Sequence, residues 1–312
     1  MSGYADGRFA MVAVGMGDIF WLAPLVAPAG SKRWKDIGLD DFSKMYYAIR
    51  SAPLGRVPAE VVASAFYGFH PAKVARYIPA VWETTTPDET LETLRSIADD
   101  VFRAQLGDWV GSADAQQAAD LLRRAADARC EAVGGRPLSA GYASLPWPDA
   151  SDPHLTIWHA FTLLREYRGD SHIAALVAND IDPCECHLLM AAATEGGCEC
   201  HQAFRQMGLR VDTETPPDPA VPTDREWPVA DRRAALARLC ERGVVREDGA
   251  ITEAGMELHI EVERLTDRIA SAPSNSAFED AEQLTALIAD PVHLLRSAGD
   301  VAAVAAIRNE DR

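Results

Sequence analysis

The sequence predicts a mainly α-helical protein, on three observations. Apolar residues recur at helical intervals along much of the chain, as Leu91, Leu94, Ile97 and Val101 do. A helix-start signal precedes them at 86–89, where a threonine cap is followed by a proline and, three residues after the cap, by an acid. Strand signals are sparse, so we expect little β-structure.

The next elements alternate between helices and loops. Residues 113–130 have the pattern of an amphipathic helix that ends at Gly134-Gly135. Prolines interrupt 137–153, which predicts a loop. Residues 155–167 predict a further helix, and we expect Gly169 to break or bend it.

The C-terminal third has the outline of a winged helix. Short helices precede a linker at 211–228 that is rich in proline and acid, and a helix, a hairpin and another helix follow it. In the hairpin, 244–246 and 250–252 flank a turn at Glu247-Asp248-Gly249. The predicted helices of this region are 183–194, 198–206, 230–242 and 253–270.

We therefore predict a helical N-terminal domain with a candidate ligand pocket, a winged-helix-like module and a C-terminal helical tail. Their boundaries are 1–180, 181–272 and 273–312. The chain has 312 residues, of which 48% are hydrophobic, enough for cores of this size. It contains no run of about 18 apolar residues and no basic signal segment, so we expect a cytoplasmic protein without a membrane partner.

The charge distribution bears on nucleic acid as a partner. A formal net charge of −17 disfavours nonspecific contact with DNA or RNA. Six arginines and three acids between Arg225 and Arg246 nevertheless give that segment a local charge of +3. The arginines are Arg225, Arg232, Arg233, Arg238, Arg242 and Arg246.

A tetrapeptide of rare residues occurs twice within eighteen residues, as Cys184-Glu185-Cys186-His187 and Cys198-Glu199-Cys200-His201. Thiolate and imidazole are ligands of zinc, copper and iron, so the hypothesis is a transition-metal site. Its ligands would be Cys184, Cys186, His187, Cys198, Cys200 and His201.

Several uses of this cluster remain open. Two C-x2-H pairs could ligate one tetrahedral zinc ion, or the four cysteines alone could ligate the ion. All six residues together could form a binuclear site or bind Cu(I). A redox-active pair of disulfides is a further alternative. A C-x-C pair at the start of a helix is also similar to the thiol-sensing motif of ArsR-type repressors.

Residues 158–172 are unusually polar for a helix between apolar runs. The functional interpretation is a pocket with acid–base groups and an arginine for an anionic substrate group. The predicted catalytic residues are His159, Glu166, Asp170 and His172, and the predicted ligand-binding residues are Tyr67, His70, Trp158, Arg165 and Arg168. One alternative is a non-haem iron site built from two histidines and a carboxylate. The other is a buried network in which Arg165 and Arg168 pair with Glu166 and Asp170.

Three stretches resemble known proteins. Residues 236–258, LARLCERGVVREDGAITEAGMEL, resemble the end of a MarR-type winged helix. Residues 51–82, SAPLGRVPAEVVASAFYGFHPAKVARYIPAVW, and 145–177, LPWPDASDPHLTIWHAFTLLREYRGDSHIAALV, resemble an actinobacterial family that pairs a helical domain with a MarR-like C-terminal module. The resemblance implies this fold and no activity, and the doubled tetrapeptide departs from the family's pattern.

Two functions follow from these observations. The first is a metal-binding protein with a small-molecule pocket. In its most specific form, this hypothesis is a metal-dependent enzyme of specialised metabolism. The alternative is a metal- or thiol-responsive MarR-like transcriptional regulator, whose DNA contact would use the arginine segment. A winged helix that serves only to form a homodimer is a third interpretation.

Overall fold

The computed structural model describes residues 15–198, 225–271 and 281–298, and this part of the chain is mainly helical. The first six helices are α1 Gly17–Val26, α2 Ser31–Asp36, α3 Phe42–Ser51, α4 Ala59–Phe66, α5 Pro71–Tyr77 and α6 Pro87–Leu106. The others are α7 Ala113–Cys130, α8 Pro137–Ala143, α9 Pro153–Ala178, α10 Glu185–Glu195, α11 Val229–Glu241, α12 Glu253–Ser271 and α13 Ala281–Ser297. None of the described helices is long and apolar enough to cross a membrane.

The predicted helix-start signal before α6 is confirmed. Thr86 Oγ1 accepts a hydrogen bond from the backbone N–H of Glu89 at 3.0 Å, as an N-cap does. Thr85 Oγ1 donates to Glu89 Oε2 at 2.9 Å and holds the acid beside the first turn. Helix α7 also has the predicted bounds, and Ser112 caps it by accepting from Ala115 N at 3.1 Å.

Two predictions about helices are wrong. The segment 137–153 was expected to be a loop, but α8 forms its first part because Pro137 occupies the first turn, where a missing N–H costs nothing. Helix α9 runs through Gly169, so the break that this glycine predicts is absent. A glycine in a helix costs about 1 kcal/mol relative to alanine, which the packed neighbouring turns outweigh.

The predicted β-hairpin shrinks to a single bridge. Val245 and Ile251 form an isolated antiparallel bridge, and Arg246 N donates to Ala250 O at 2.9 Å. No strand is present in the described ranges, so a winged-helix hairpin is not part of this structure. The helix predicted at 198–206 lies outside the described residues except for Cys198, as does the predicted linker up to residue 224.

The chain forms two compact units. Unit 1 draws its described residues from Pro58–Arg76 and Ser171–Ile269. Unit 2 draws its own from Asp6–Val57, Tyr77–Asp170 and Ala270–Arg312. The units therefore interleave along the chain, whereas the domains predicted from the sequence are contiguous.

The core of unit 1 joins the end of α9 to α10, α11 and α12. Its fully buried members include Ala175, Leu188, Leu239, Val244 and Val262. Gly255 lets the start of α12 approach the bridge, because a Cβ there would lie 2.0 Å from Val244 O. The pattern of buried aliphatic residues on consecutive helices is what fixes the position of α11 within this unit.

The core of unit 2 is centred on aromatic rings. Phe20 of α1 contacts Phe102 of α6 and Phe161 of α9, with centroid distances of 5.5 and 5.4 Å. Each fully buried phenyl ring contributes roughly 1.5–3 kcal/mol through the hydrophobic effect. Helix α13 packs against α1, α6 and α7, so the C-terminal helix completes this core.

Candidate functional site

The first tetrapeptide lies at the N-terminus of α10. Asp182 precedes it, and its Oδ1 accepts hydrogen bonds from the backbone N–H groups of Cys184 at 2.8 Å and Glu185 at 2.7 Å. These bonds satisfy two of the amides that a helix N-terminus leaves unpaired. The acid at 182 therefore fixes where α10 begins and where Cys184, Glu185 and Cys186 point.

Glu185 links this segment to α11. Its carboxylate is buried and accepts a hydrogen bond from Arg238 Nε at 2.7 Å, and Arg242 Nη1 lies 3.4 Å away. Arg238 also pairs with Asp182, and Arg242 donates to the carbonyls of Asp180 and Asn179. Two arginines of α11 are thus held against the segment that carries the cysteines.

The environment of Cys184 favours the protonated thiol. Burial, followed by the negative charge of Asp182, raises the pKa of Cys184 to about 12. Cys186 Sγ donates to Pro183 O at 3.2 Å, and His187 Nε2 lies 2.8 Å from Gly68 O. A metal ligated here would have to displace protons from both thiols.

The two tetrapeptides flank opposite ends of α10. Cys184 immediately precedes the helix and Cys198 follows it, and a helix of 11 residues is about 16 Å long. Cys184 and Cys198 therefore do not lie close enough to ligate the same ion in this arrangement. Cys200 and His201 lie outside the described residues, and the metal site stays a prediction.

In unit 1, Tyr67 and His70 flank a segment whose Gly68 carbonyl lies against Trp227 and His187. Trp227 Nε1 donates to Gly68 O at 2.8 Å, and the His70 ring meets the Trp227 ring edge-on at 4.9 Å. A Cβ on residue 68 would lie 2.4 Å from His187 Nε2, so only glycine admits both donors. Tyr67 Oη donates to Ile181 O. These two predicted ligand-binding residues serve the packing of unit 1.

The arginines of the basic segment differ in what they contact. The Arg225 guanidinium lies 4.1 Å from the centroid of the Phe69 ring, and Arg232 is buried. Arg246 forms an exposed ion pair with Asp248. Arg233 is exposed on α11 and makes no ion pair within the described ranges. The side chain best placed to meet a new partner is therefore Arg233.

In unit 2, Glu166 is the centre of a buried ion-pair network. Its carboxylate accepts hydrogen bonds from Arg50 Nη2 at 2.9 Å and Arg165 Nη1 at 2.7 Å. Arg165 also donates to Asp18 Oδ1 at 2.8 Å and lies over the Trp21 ring at 4.1 Å. Burial opposes ionisation of Glu166, but the two arginines outweigh it and hold its pKa below the usual value.

Asp170 lies one turn further along α9. Its Oδ2 accepts from both the backbone N–H and the Oγ of Ser139, at 2.9 and 2.8 Å. Burial raises the pKa of Asp170 to about 6, against the lowering effect of the Ser139 bonds. The predicted pairing of Arg165 with Glu166 is therefore confirmed, while Asp170 binds Ser139 instead of an arginine.

The two predicted catalytic histidines have other neighbours. His159 meets the Trp147 ring edge-on at 4.7 Å, and burial lowers its pKa to about 4. His172 belongs to unit 1, where its Nδ1 lies 3.0 Å from Thr266 Oγ1. Of the four predicted catalytic residues, only Glu166 and Asp170 therefore share one polar cluster.

The remaining predicted ligand-binding residues lie on α9. Trp158 is buried, and its Nε1 has no hydrogen-bond partner in the part of the chain that the structure describes. Arg168 is half-buried, and its positive charge lowers the pKa of Asp18, although burial raises that pKa overall. The charge of Arg168 thus acts on the cluster around Glu166 through Asp18.

Sequence reasoning missed the partners of these residues. Arg50 lies 116 residues from Glu166 along the chain, so no local spacing could indicate the pair. Ser139, the partner of Asp170, has no sequence signature either, because the prolines of 137–153 predict a loop there. Glu185 stands inside the tetrapeptide but is not a soft ligand, and its ion pairs with α11 have no sequence signature.

One further cluster in the described ranges has the spacing of a metal site. The ligand atoms of Asp99, Asp152 and His154 lie within 4.8 Å of one another. Arg103 donates to both carboxylates, at 2.8 Å to Asp99 and 2.7 Å to Asp152. An ion-pair network with Arg103 accounts for this cluster without a metal.

Comparison with known proteins gives one match. A family described as "Helix-turn-helix family" matches residues 20–302, which is most of the chain and includes residues of both units. No curated protein and no solved structure matches the chain.

Proposed function

We propose that this chain, which belongs to the helix-turn-helix family, is a transcriptional regulator that binds DNA through unit 1. In helix-turn-helix proteins, the recognition helix lies in the major groove and presents side chains to phosphates and base edges. The family match favours this function over the metal-dependent enzyme considered from the sequence. We also propose that its DNA-binding module is of the MarR type.

The helix proposed to contact DNA is α11. It precedes the Val245–Ile251 bridge and α12, the order that a winged helix gives to its recognition helix. The exposed face that contains Arg233 also carries Ala230, Ala234, Ala237 and, at its end, Glu241. Small side chains permit close approach to a groove, and an arginine provides the phosphate or guanine contact.

The single observation that carries the proposal is the exposure of Arg233 without an ion-pair partner among the described residues. In a protein of net charge −17, an unpaired arginine on the exposed side of a helix is a local site of positive potential. Arg246, whose exposed pair with Asp248 is weak, offers a second phosphate contact after the helix.

The test is selection of duplex DNA from a random-sequence library by the full chain at low salt, followed by sequencing. We expect enrichment of a defined motif, because base contacts from α11 discriminate between sequences. A pool that stays random through successive rounds would contradict the proposal.

We propose further that the regulator responds to a metal or to oxidation at the first tetrapeptide. This rests on Glu185, which lies between Cys184 and Cys186 and binds Arg238 of α11 at 2.7 Å. Ligation or oxidation of the flanking thiols would change the position of that carboxylate and, with it, the side chains of α11.

The response is tested by measuring DNA affinity with and without Zn(II), Cu(I), Fe(II) and the thiol oxidant diamide. Wild type and the control Cys130→Ala, whose thiol is in unit 2, should both respond. Cys184→Ala and Cys186→Ala should not respond. An unchanged DNA affinity of wild type under every condition would refute the response while leaving DNA binding intact.

A further inference from the structure

The glycine in the middle of α9 marks open space beside Glu166. A Cβ built on Gly169 would meet only Glu166 Oε2 within 4 Å, at a distance of 3.9 Å, among the described residues. Alanine would thus fit here and would favour the helix. Neither the backbone conformation nor the packing requires glycine at this position. The fold therefore does not account for the unfilled space beside Gly169.

Two buried polar atoms near Glu166 have no hydrogen-bond partner among the described residues: Tyr142 Oη and Asp170 Oδ1. Their residues are each 3% exposed, and the charges of Glu166 and Arg50 influence the pKa of both. Ser139 and Tyr142, three residues apart on α8, lie on one helix face, and Ser139 already binds Asp170 Oδ2. Buried polar atoms are rarely left unpaired, because each loses its hydration.

The cluster is nevertheless open to solvent. The Asp18 side chain remains 39% exposed and that of Arg165 22% exposed, and Gly169 is half-buried. Burial is still the largest influence on the pKa of Asp18 and raises it. Water therefore reaches the edge of this cluster at Asp18 and Arg165.

The charges of the cluster determine what this site can bind. Glu166 is neutralised by Arg50 and Arg165, and Arg165 also pairs with Asp18, so these arginines are not available to an anionic ligand. Within the described ranges, Asp170 is hydrogen-bonded only by the neutral Ser139, through Oδ2. The groups left without partners are therefore an anionic acceptor, Asp170 Oδ1, and the hydroxyl of Tyr142.

We infer that unit 2 contains a binding site for a small protonated amine, formed by Asp170, Tyr142 and the space at Gly169. An ammonium group has three N–H donors and supplies bonds to both Asp170 Oδ1 and Tyr142 Oη. Its charge compensates the carboxylate of Asp170. The site concerns unit 2 alone and does not depend on DNA binding.

The experiment is calorimetric titration of the full chain, without DNA, with a panel of short-chain and aromatic primary amines. Each amine is paired with the alcohol of the same carbon skeleton, which keeps a donor but has no charge. We expect at least one amine to bind at least tenfold more tightly than its alcohol. Its affinity should rise as the pH rises through about 6, where Asp170 ionises beside Glu166 and Arg50.

Three variants separate this site from other causes. Asp170→Asn removes the charge and keeps the size, so amine binding should fall at least tenfold and lose its pH dependence. Gly169→Leu fills the space and should abolish binding. Gly169→Ala is the folding control, since its Cβ fits, and its thermal midpoint should equal or exceed that of wild type.

Each outcome decides the inference. Preference for the amine that Asp170→Asn removes supports the site, even where Gly169→Leu fails to fold. Equal binding of amines and alcohols, binding that Asp170→Asn leaves unchanged, or no binding by any amine would overturn it. Failure of the DNA selection has no bearing on these results, so the two proposals stand or fall separately.

Discussion

The buried carboxylate of Glu185 holds the half-exposed guanidinium of Arg238, with Arg238 Nε donating to Glu185 Oε1 at 2.7 Å. The two partners are unequal, because the Glu185 side chain is 4% exposed and that of Arg238 46% exposed. Water can therefore replace the contact for the arginine but not for the acid. This asymmetry governs what happens to unit 1 when either residue is changed.

Removing Arg238 should cost more stability than removing the charge of Glu185. Arg238→Ala leaves a buried carboxylate with only Arg242 at 3.4 Å, and we expect a loss of about 2 kcal/mol in the free energy of unfolding. Glu185→Gln leaves arginines that water can hydrate, and we expect a loss of about 1 kcal/mol or less. Urea denaturation measures both values.

The matched control for this pair is Arg95→Ala. Arg95 and Glu92 form an ion pair in which both side chains are about half exposed or more, so its loss should cost well under 1 kcal/mol. Equal losses in the free energy of unfolding for Glu185→Gln and Arg238→Ala would contradict the claim that the difference in burial between the two partners determines these losses.

The stability of the protein should depend on pH through His159. Its folded pKa is about 4, below the ordinary 6.5, because burial disfavours the charged imidazole. Between these values the unfolded state binds a proton that the folded state does not, so stability falls as the pH falls. The contribution is about 1.4 kcal/mol per pH unit over this window. The difference between wild type and His159→Gln, measured by denaturation across this window, isolates it.

Asp170→Asn should change the pH profile in the opposite sense. The folded pKa of Asp170 is about 6, above the ordinary 3.8, because burial favours the neutral carboxyl. Its stabilising contribution is complete below the unfolded value and is lost as the pH rises through about 6. The free energy of unfolding of wild type minus that of Asp170→Asn should therefore fall as the pH rises. The corresponding difference between wild type and His159→Gln should rise. Differences of the same sign would refute the two assignments.

Gly255 should tolerate no side chain. A Cβ there would lie 2.0 Å from Val244 O and 2.9 Å from Ile251 Cγ1, so Gly255→Ala must displace α12 from the bridge. We expect a loss of about 1–3 kcal/mol, as for other overpacked sites. Gly111→Ala is the control, because its Cβ meets no described atom within 4 Å. Equal thermal midpoints of the two variants would contradict the close contact of Gly255 with Val244 and Ile251.

Local signals predicted the helices well and the site poorly. The cap at Thr86 and the start of α7 depend on neighbouring residues, so the sequence reveals them. Pro146, Pro148 and Pro153 predict a loop over 137–153, but Pro137 lies in the first turn of α8 and starts it. The contacts of Glu166 with Arg50 and of Glu185 with Arg238 join distant segments, and no periodicity encodes which distant arginine a carboxylate meets.

The measurement that tests the account most directly is the salt dependence of DNA affinity for wild type and Arg233→Ala, with Arg95→Ala as control. If Arg233 contacts a phosphate, its loss should weaken binding at low salt and reduce the slope of log affinity against log salt by about 0.9. Arg95→Ala, in unit 2, should reproduce the wild-type slope. Equal affinities and slopes for all three proteins would contradict the claim that α11 is the DNA-binding helix.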